Sequence, residues 1–223
     1  FTKIGREIAI AVREGGSNPD SNNKLRDVIA KAKSNNMPND NISRSIKKAA
    51  GELGNVEYTE ITYEGYAPGG VAVIVECISD NRNRTASDVR HCFAKNDGSL
   101  GVNGSVSFLF DKKGVLVVAR NADMDEDEMM MQALDAGAED MQAMDDAFEI
   151  TTDPNEFSAV REKLEAAGIE FLSAEVQMIP QNTVAPSAEN IEKIQNMLEM
   201  LEDNDDVQNV WHNAELPEEP EEE

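Results

Sequence analysis

Few aromatic residues are present: they make up 5% of the 223 residues, with a single Trp. Any core must therefore be built from Ala, Val, Ile, Leu and the ten Met. Two cysteines, Cys77 and Cys92, are too few for a disulfide framework, so a reducing, cytoplasmic setting is expected. No apolar run reaches the roughly 18 residues of a membrane span. No basic-then-apolar leader opens the chain, although it begins at Phe1 rather than Met. Catalytic signatures are missing as well. There is no Gly-x-Ser-x-Gly elbow, phosphate-binding Walker loop, dinucleotide fingerprint or His-Glu-x-x-His. His91 and His212 are the only histidines. His91-Cys92 with Cys77 would chelate poorly, because neighbouring helix residues point about 100° apart, and no fourth ligand is evident. The expectation is a protein that is not an enzyme and holds neither cofactor nor metal.

Negative charge is what the sequence has in excess: the formal net charge is −24. Taken whole, that opposes binding to a polyanion. The distribution is uneven. Residues 1–54 hold ten Lys/Arg against six Asp/Glu, a balance of +4 that leaves −28 for the remainder. Such asymmetry marks an electrostatically specialised segment. Its cations, Lys3, Arg6, Arg13, Lys24, Arg26, Lys31, Lys33, Arg44, Lys47 and Lys48, are candidates for contacting nucleic-acid phosphates.

Hydrophobic spacing predicts three amphipathic helices there, through Ile4/Ile8/Val12, Leu25/Val28/Ile29/Ala32 and Ile42/Ile46/Ala49/Ala50. Gly15-Gly16-Ser17-Asn18-Pro19, Asn35-Asn36-Met37-Pro38 and Gly51 end them. From Glu57 the pattern becomes strand-like, with Ile61–Tyr66 and Val71–Ile78 joined by an Ala67-Pro68-Gly69-Gly70 turn. A helix over Thr85–Lys95, opened by Thr85 and Asp88 at capping-box spacing, and a strand over Val106–Phe110 follow. Residues 113–180 read as β-α-β-β-α-β, a ferredoxin-like series. Its helices start at Asp123 with Glu126, and at Asp153-Pro154-Asn155-Glu156. Its last strand is Ile169–Ile179. A helix over Ala188–Glu202 and a strand over Val207–Trp211 then lack partners of their own, and the economical solution returns them to the incomplete set at 57–110.

The expected fold is α+β: a three-helix domain, then two α/β sandwiches, at least one ferredoxin-like and the second inserted in the first. The expected boundaries are 1–54 for the basic helical domain and 55–112 with 181–213 for a discontinuous α+β domain. Residues 113–180 form the ferredoxin-like domain and 214–223 a disordered acidic tail.

Asp80-Asn81-Arg82-Asn83-Arg84-Thr85 follows a strand and opens a helix. A helix N-terminus presents free N–H groups and partial positive charge, and arginine adds forked donors. Asn81, Arg82, Asn83, Arg84 and Arg90 are thus a second candidate phosphate site, extended by Lys95. Arg82 and Arg84 pairing with nearby acids is the competing reading. Gly65–Gly70 reads as a hairpin turn whose bare backbone could also approach RNA or a partner closely.

Together, Phe1-Thr2-Lys3-Ile4, the Gly15-Gly16 turn, Ser34-Asn35-Asn36-Met37-Pro38, Tyr63–Gly70, Ser79–Thr85 with Val89-Arg90-His91, Gly104-Ser105-Val106, Ala136–Asp140 and Leu201–Val207 resemble the YebC/PmpR family. The resemblance runs from Phe1 to about Asn213. It implies a three-domain cytoplasmic protein without cofactor. Such proteins are described as DNA-binding transcriptional regulators, and also as translation factors acting on ribosomes stalled at proline-rich stretches. Members of the family carry a basic Gly-His-Ser-Lys-Trp arm ahead of the Phe-Thr-Lys-Ile with which this chain opens, and have Gly where Ala67 stands. The expected partner is nucleic acid, DNA or ribosomal RNA, bound by a monomer. A protein–protein adaptor built on the acidic domains is the remaining alternative.

Overall fold

The computed structural model describes residues 1–51 and 56–218. Helices α1 (Thr2–Gly15), α2 (Asn23–Ser34) and α3 (Asn39–Ala49) lead. Ile4, Ile8, Ala11 and Val12 of α1 bury against Leu25 and Ala32 of α2, Met37, and Ile42 of α3. Each stripe is one face wide, so no helix can bury it alone. Asn22 starts α2, its Oδ1 accepting from Leu25 N at 3.0 Å, and its Nδ2 donates to Ala11 O at 2.8 Å, which fixes the turn between α1 and α2. Gly51, at φ +85°, closes α3 with its N–H on Lys48 O, a conformation that costs glycine least. Ala50 is exposed rather than part of the seam.

Two four-stranded antiparallel sheets follow. The first uses β1 (Thr59–Ala67), β2 (Val71–Ser79), β3 (Ser99–Leu100) and β8 (Val207–His212), in the order β3-β1-β2-β8. Helices α4 (Arg82–Lys95) and α7 (Ala188–Glu202) cover it, joining Val89, Phe93, Ile194, Met197 and Leu201 to Val71, Val73, Val75 and Cys77. Full burial of each such side chain contributes about 1.5–3 kcal/mol. The second sheet uses β4 (Phe110–Ala119), β5 (Asp140–Ala143), β6 (Ala147–Thr152) and β7 (Ser173–Pro180), in the order β5-β6-β4-β7. Its helices are α5 (Glu126–Asp135) and α6 (Phe157–Ala166), packed through Met129, Ala133, Val160 and Leu164 onto Leu116, Phe148 and Ile150.

The two sheets share one plan. Matching β2, β3, β1 and β8 to β4, β5, β6 and β7 gives the same spatial order, with a helix after the first strand and before the last. Only the chain path differs: β1 comes first in sequence, whereas its counterpart β6 comes third. The α+β class with leading helices and a sandwich inserted in another therefore stands.

Several local expectations are corrected. Val106–Phe110 is not a strand; Ser107–Leu109 form a 3-10 turn and the strand begins at Phe110. The alternation of Val106, Phe108 and Phe110 imitates a strand, but the backbone N–H groups here go to a carboxylate, as shown below. Thr85 and Asp88 do not cap α4; Asn81 does, accepting from Arg84 N at 3.0 Å. α5 starts at Asp125, whose carboxylate accepts from Asp127 N and Glu128 N, rather than at Asp123. α6 begins at Phe157, because Asp153 and Pro154 enter a turn closed by Glu156 N on Asp153 O. β7 starts at Ser173 rather than Ile169. The chain at Ala214–Leu216 is held to Val184 by a bridge and by Glu215 N on Val184 O at 2.8 Å, contrary to a wholly disordered tail. The tail's residues 219–223 and the boundary at 54/55 lie outside the described residues.

By contact the chain divides into two compact units, Lys3–Asn55 with Lys112–Ile179, and Val56–Asp111 with Pro180–Glu223. Within the first, α2 docks on α6. Arg161, 6% exposed, donates through Nε to Asp27 at 2.8 Å and through Nη1 to Glu165 at 2.5 Å, while Ser158 also bonds Asp27. Within the second, Asp206 is the tie. Its buried carboxylate accepts from Arg84 Nε at 3.0 Å, Arg84 Nη2 at 2.8 Å and Thr85 Oγ1 at 2.8 Å. Asp206→Ala releases the arginine fork and removes one of three partners of the buried Thr85 hydroxyl, which keeps Ser79 Oγ at 2.6 Å and Asn81 O at 3.1 Å. A stability loss of about 2–4 kcal/mol is expected, read as a lower urea midpoint at unchanged m-value.

Candidate nucleic-acid interface

Within the helical head the structure separates cations that are engaged from cations that are available. Lys24 pairs with Glu14 at 2.8 Å and Lys31 with Glu7 at 3.0 Å. Arg26 is committed further: Nε meets Glu162 at 2.7 Å, Nη1 meets Pro19 O at 2.8 Å, and Nη2 bonds Asn23. Glu162, foremost among its neighbours, raises the Arg26 pKa. Lys3, Arg6 and Arg13 of α1 also have interaction partners. Lys33, Arg44, Lys47 and Lys48 are exposed and make no ion pair among the described residues.

Three of those four lie on α3 at i, i+3 and i+4, which places them on one face. Ile42 and Ile46 occupy the opposite face and bury against α1 and α2. The amphipathic pattern that packs α3 thereby also turns Arg44, Lys47 and Lys48 into water together. Lys47 and Lys48 sit in the last turn, where the helix dipole favours cations. Asp40, in the first turn, is the one acid on that helix.

The second cluster is rearranged relative to the sequence reading. Arg82, Asn83 and Arg84 are not upstream of α4; they form its first turn. Arg84 is held by Asp206 and, at 2.7 Å, by Asp80, and these hydrogen bonds raise its pKa. The competing reading, pairing with acids, holds for Arg84, whose Nε and Nη2 are engaged. Asn81 is likewise spent on the cap. Arg82, Asn83 and Arg90 remain exposed, and neither Arg82 nor Arg90 has an ion pair among the described residues. A cation in the first turn opposes the positive helix end, so Arg82 is a local electrostatic cost that a bound phosphate would relieve. Both arginines act on the hydroxyl of Tyr63 in β1. Burial pushes that hydroxyl up, Cys77 adds to the rise, and Arg82 and Arg90 pull it back.

Sequence reasoning missed Glu64. It is 5% exposed, on β1, and its carboxylate accepts from Gly104 N at 2.6 Å, Val106 N at 3.1 Å and Ser107 N at 2.6 Å. Its own carbonyl takes Gly101 N at 2.8 Å. The segment 101–107 is thus wrapped around one buried anion. Burial alone would raise the Glu64 pKa; the three backbone donors outweigh it and hold the group below its ordinary 4.5. The available signal was a lone Glu inside the otherwise uncharged run Ile61–Tyr66. Cys77 and Cys92 are buried free thiols, burial pushing Cys92 up. Among the described residues no group of three His, Cys, Asp or Glu could hold a metal, and no helix is long and apolar enough to cross a membrane.

Comparison with known proteins agrees along the chain. Residues 1–52 match the family described as "TACO1/YebC protein N-terminal domain", and residues 58–214 match "TACO1/YebC second and third domain". A "Probable transcriptional regulatory protein" of Clostridium novyi (strain NT) is 62% identical over 219 residues, covering 98% of this chain and 89% of that protein. Another so named, from Acetivibrio thermocellus, is 59% identical over 214 residues, covering 96% and 88%. The crystal structure of a conserved hypothetical protein from Aquifex aeolicus superposes with a TM-score of 0.87 at 46% identity, covering 100% of this chain and 92% of that one.

Because the folded Glu64 pKa lies below the unfolded one, its stabilisation is present above about pH 4.5 and is lost as the pH falls through the folded value. Urea melts between pH 7 and pH 3 should show this loss. Glu64→Gln should be less stable at pH 7 by about 1–3 kcal/mol and should show a shallower acid dependence than the parent.

Proposed function

Because the chain belongs to the TACO1/YebC family, we propose that it is a regulatory protein that binds nucleic acid through the phosphate backbone, using the α3 face of its helical head. The observation that carries this reading is the stripe of Arg44, Lys47 and Lys48. It is exposed, on one helix face, without an acid partner among the described residues, in a protein of net charge −24. An acidic protein that leaves cations uncompensated on one face has a site for a polyanion there. Lys33 and the α4 pair Arg82 and Arg90 are further phosphate contacts in this reading. The four domain segments, 1–54, 55–112 with 181–213, 113–180 and 214–223, are our working division, the first carrying the principal contact.

The names of the relatives favour DNA and transcription as the setting. A second reading, ribosomal RNA and translation, is favoured by the side-chain types. Lys47 and Lys48 are point charges suited to phosphate rather than forked or amide side chains that read base edges. Backbone contact without base readout suits a folded RNA at least as well as a promoter. In both readings the protein acts by binding, and no residue is assigned a catalytic role.

Gel shift on promoter DNA and co-sedimentation with ribosomes, both at about 150 mM salt, separate the two targets. Arg44→Glu/Lys47→Glu/Lys48→Glu should weaken whichever binding exists by at least tenfold and flatten its log–log salt slope by about 2–3 units. Wild-type binding by this triple variant, with the fold intact by circular dichroism, would remove the head from the interface.

A further inference from the structure

Helix α5 turns an apolar face to water. Met129 and Ala133 are buried in the second core, and Ala136 follows them at the helix end. Met131 and Leu134 lie on the opposite side, at i and i+3, and are 65% and 47% exposed. A helix on a sheet needs one buried stripe, so packing accounts for Met129 and Ala133 and leaves this pair unexplained. Their setting is charged in one sign. The neighbours of Met131 on the helix surface are Asp127 at i−4, Glu128 at i−3, Leu134 at i+3 and Asp135 at i+4. All three carboxylates are exposed and make no ion pair among the described residues. Asp127 and Glu128 stand in the first turn, where the helix dipole favours anions; Asp135 stands in the last, where it disfavours them. The run continues beyond the helix: residues 121–160 hold thirteen Asp/Glu and no Lys, Arg or His. Among the described residues only two of the thirteen reach a cation, Glu126 with Arg120 at 3.8 Å and Glu139 with Lys113 at 2.8 Å.

We propose that the outer face of α5 docks a cationic amphipathic segment of another protein. Its apolar side chains would sit on Met131 and Leu134, and its Lys or Arg side chains would reach Asp127, Glu128 and Asp135. The charge selects this occupant. A nucleic acid or an anionic lipid surface is repelled there. An uncharged apolar partner would strip water from three carboxylates and return no counter-charge. A segment that is only basic would leave Met131 and Leu134 wet. Apolar anchors flanked by cations meet both demands, and they neutralise Asp135 at the helix end that least tolerates it. Methionine suits the centre of such a contact, because its unbranched, polarisable side chain adapts to the partner's shape. Charge of one sign around it speeds encounter and rejects acidic competitors. The proposal does not rest on the nucleic-acid reading: α3 and α5 carry opposite charge and take opposite partners.

The test is fluorescence anisotropy of the full chain at about 150 mM salt. The probe is a labelled peptide of about fourteen residues, four helical turns, with Leu and Lys at helical spacing. Its control has the leucines replaced by serine. Met131→Ser/Leu134→Ser, at exposed positions, should weaken binding of the Leu/Lys peptide about tenfold or more, to the level of the serine peptide. Glu128→Lys/Asp135→Lys should weaken both peptides and flatten the salt dependence. Glu192→Lys/Glu199→Lys, the same charge change at exposed positions of α7, should leave binding within about twofold. The α3 triple variant should keep the peptide. Equal loss from the α7 change, or equal binding of both peptides by the parent, means attraction to net charge alone and overturns the proposal. So does a Met131→Ser/Leu134→Ser variant that binds like the parent at an unchanged urea midpoint. Self-association of the parent in analytical ultracentrifugation, abolished in the α3 triple variant, would give the face to the head of a second copy and overturn the foreign partner.

Discussion

The second unit depends on one buried carboxylate. Asp206 joins the entrance of α4 to the turn before β8, across 122 residues of sequence. Its fork to Arg84, its bond to Thr85 and its carbonyl on Ile78 N at 2.9 Å bring the returning chain against β2. Loop closure over so long a stretch would be costly for a flexible chain, though the cost grows only logarithmically with length. Here the stretch contains its own folded sheet. Gln181 N on Leu109 O at 2.9 Å and Gln181 Nε2 on Asp111 at 3.2 Å show its two ends meeting again within the second unit. With the ends brought together in this way, the ion pair fixes the register of the returning chain.

That node also decides what the helix entrance can do. Arg84 and Asn81 are consumed by structure, so the phosphate-facing capacity of the Asp80–Thr85 motif falls to Arg82, with Arg90 along the same helix. The head shows the same partition. Arg26 resembles its neighbours in sequence, yet Glu162, 136 residues away, takes it. Acidic side chains cancel the cations that build the protein and leave the α3 face untouched. Net charge alone would have argued against any polyanion partner.

Much of this was legible in the sequence, and the reasons differ by element. The helical head was legible because Leu25/Val28/Ile29/Ala32 recur at i, i+3, i+4 and i+7, a spacing that would scatter them over both faces of a strand. α7 was legible because its apolar positions recur at helical spacing between a Pro-containing linker and Asp203. The return of α7 and β8 followed from counting unpartnered elements. Val106–Phe110 was misread because alternation is blind to where N–H groups go, and Glu64 claims them from 40 or more positions away. Thr85 and Asp88 fit a capping box by spacing, but the hydroxyl of Thr85 faces Asp206, which sits in an acidic run that reads as solvated surface. Which cations are free could not be read at all. Pairing is a property of three-dimensional neighbours, and only the stripe of α3, set by its own periodicity, was implicit.

The exposed cations set a ceiling on what they can do without help. About four phosphate contacts give a binding constant that falls as nearly the fourth power of salt, and such contacts carry no sequence information. A protein relying on them alone would bind weakly and indiscriminately at cellular ionic strength, and its negative bulk would weaken it further. Contacts of that kind sense the spacing of phosphates rather than the identity of bases, so what such a face can discriminate is the shape of the duplex or fold that carries the phosphates.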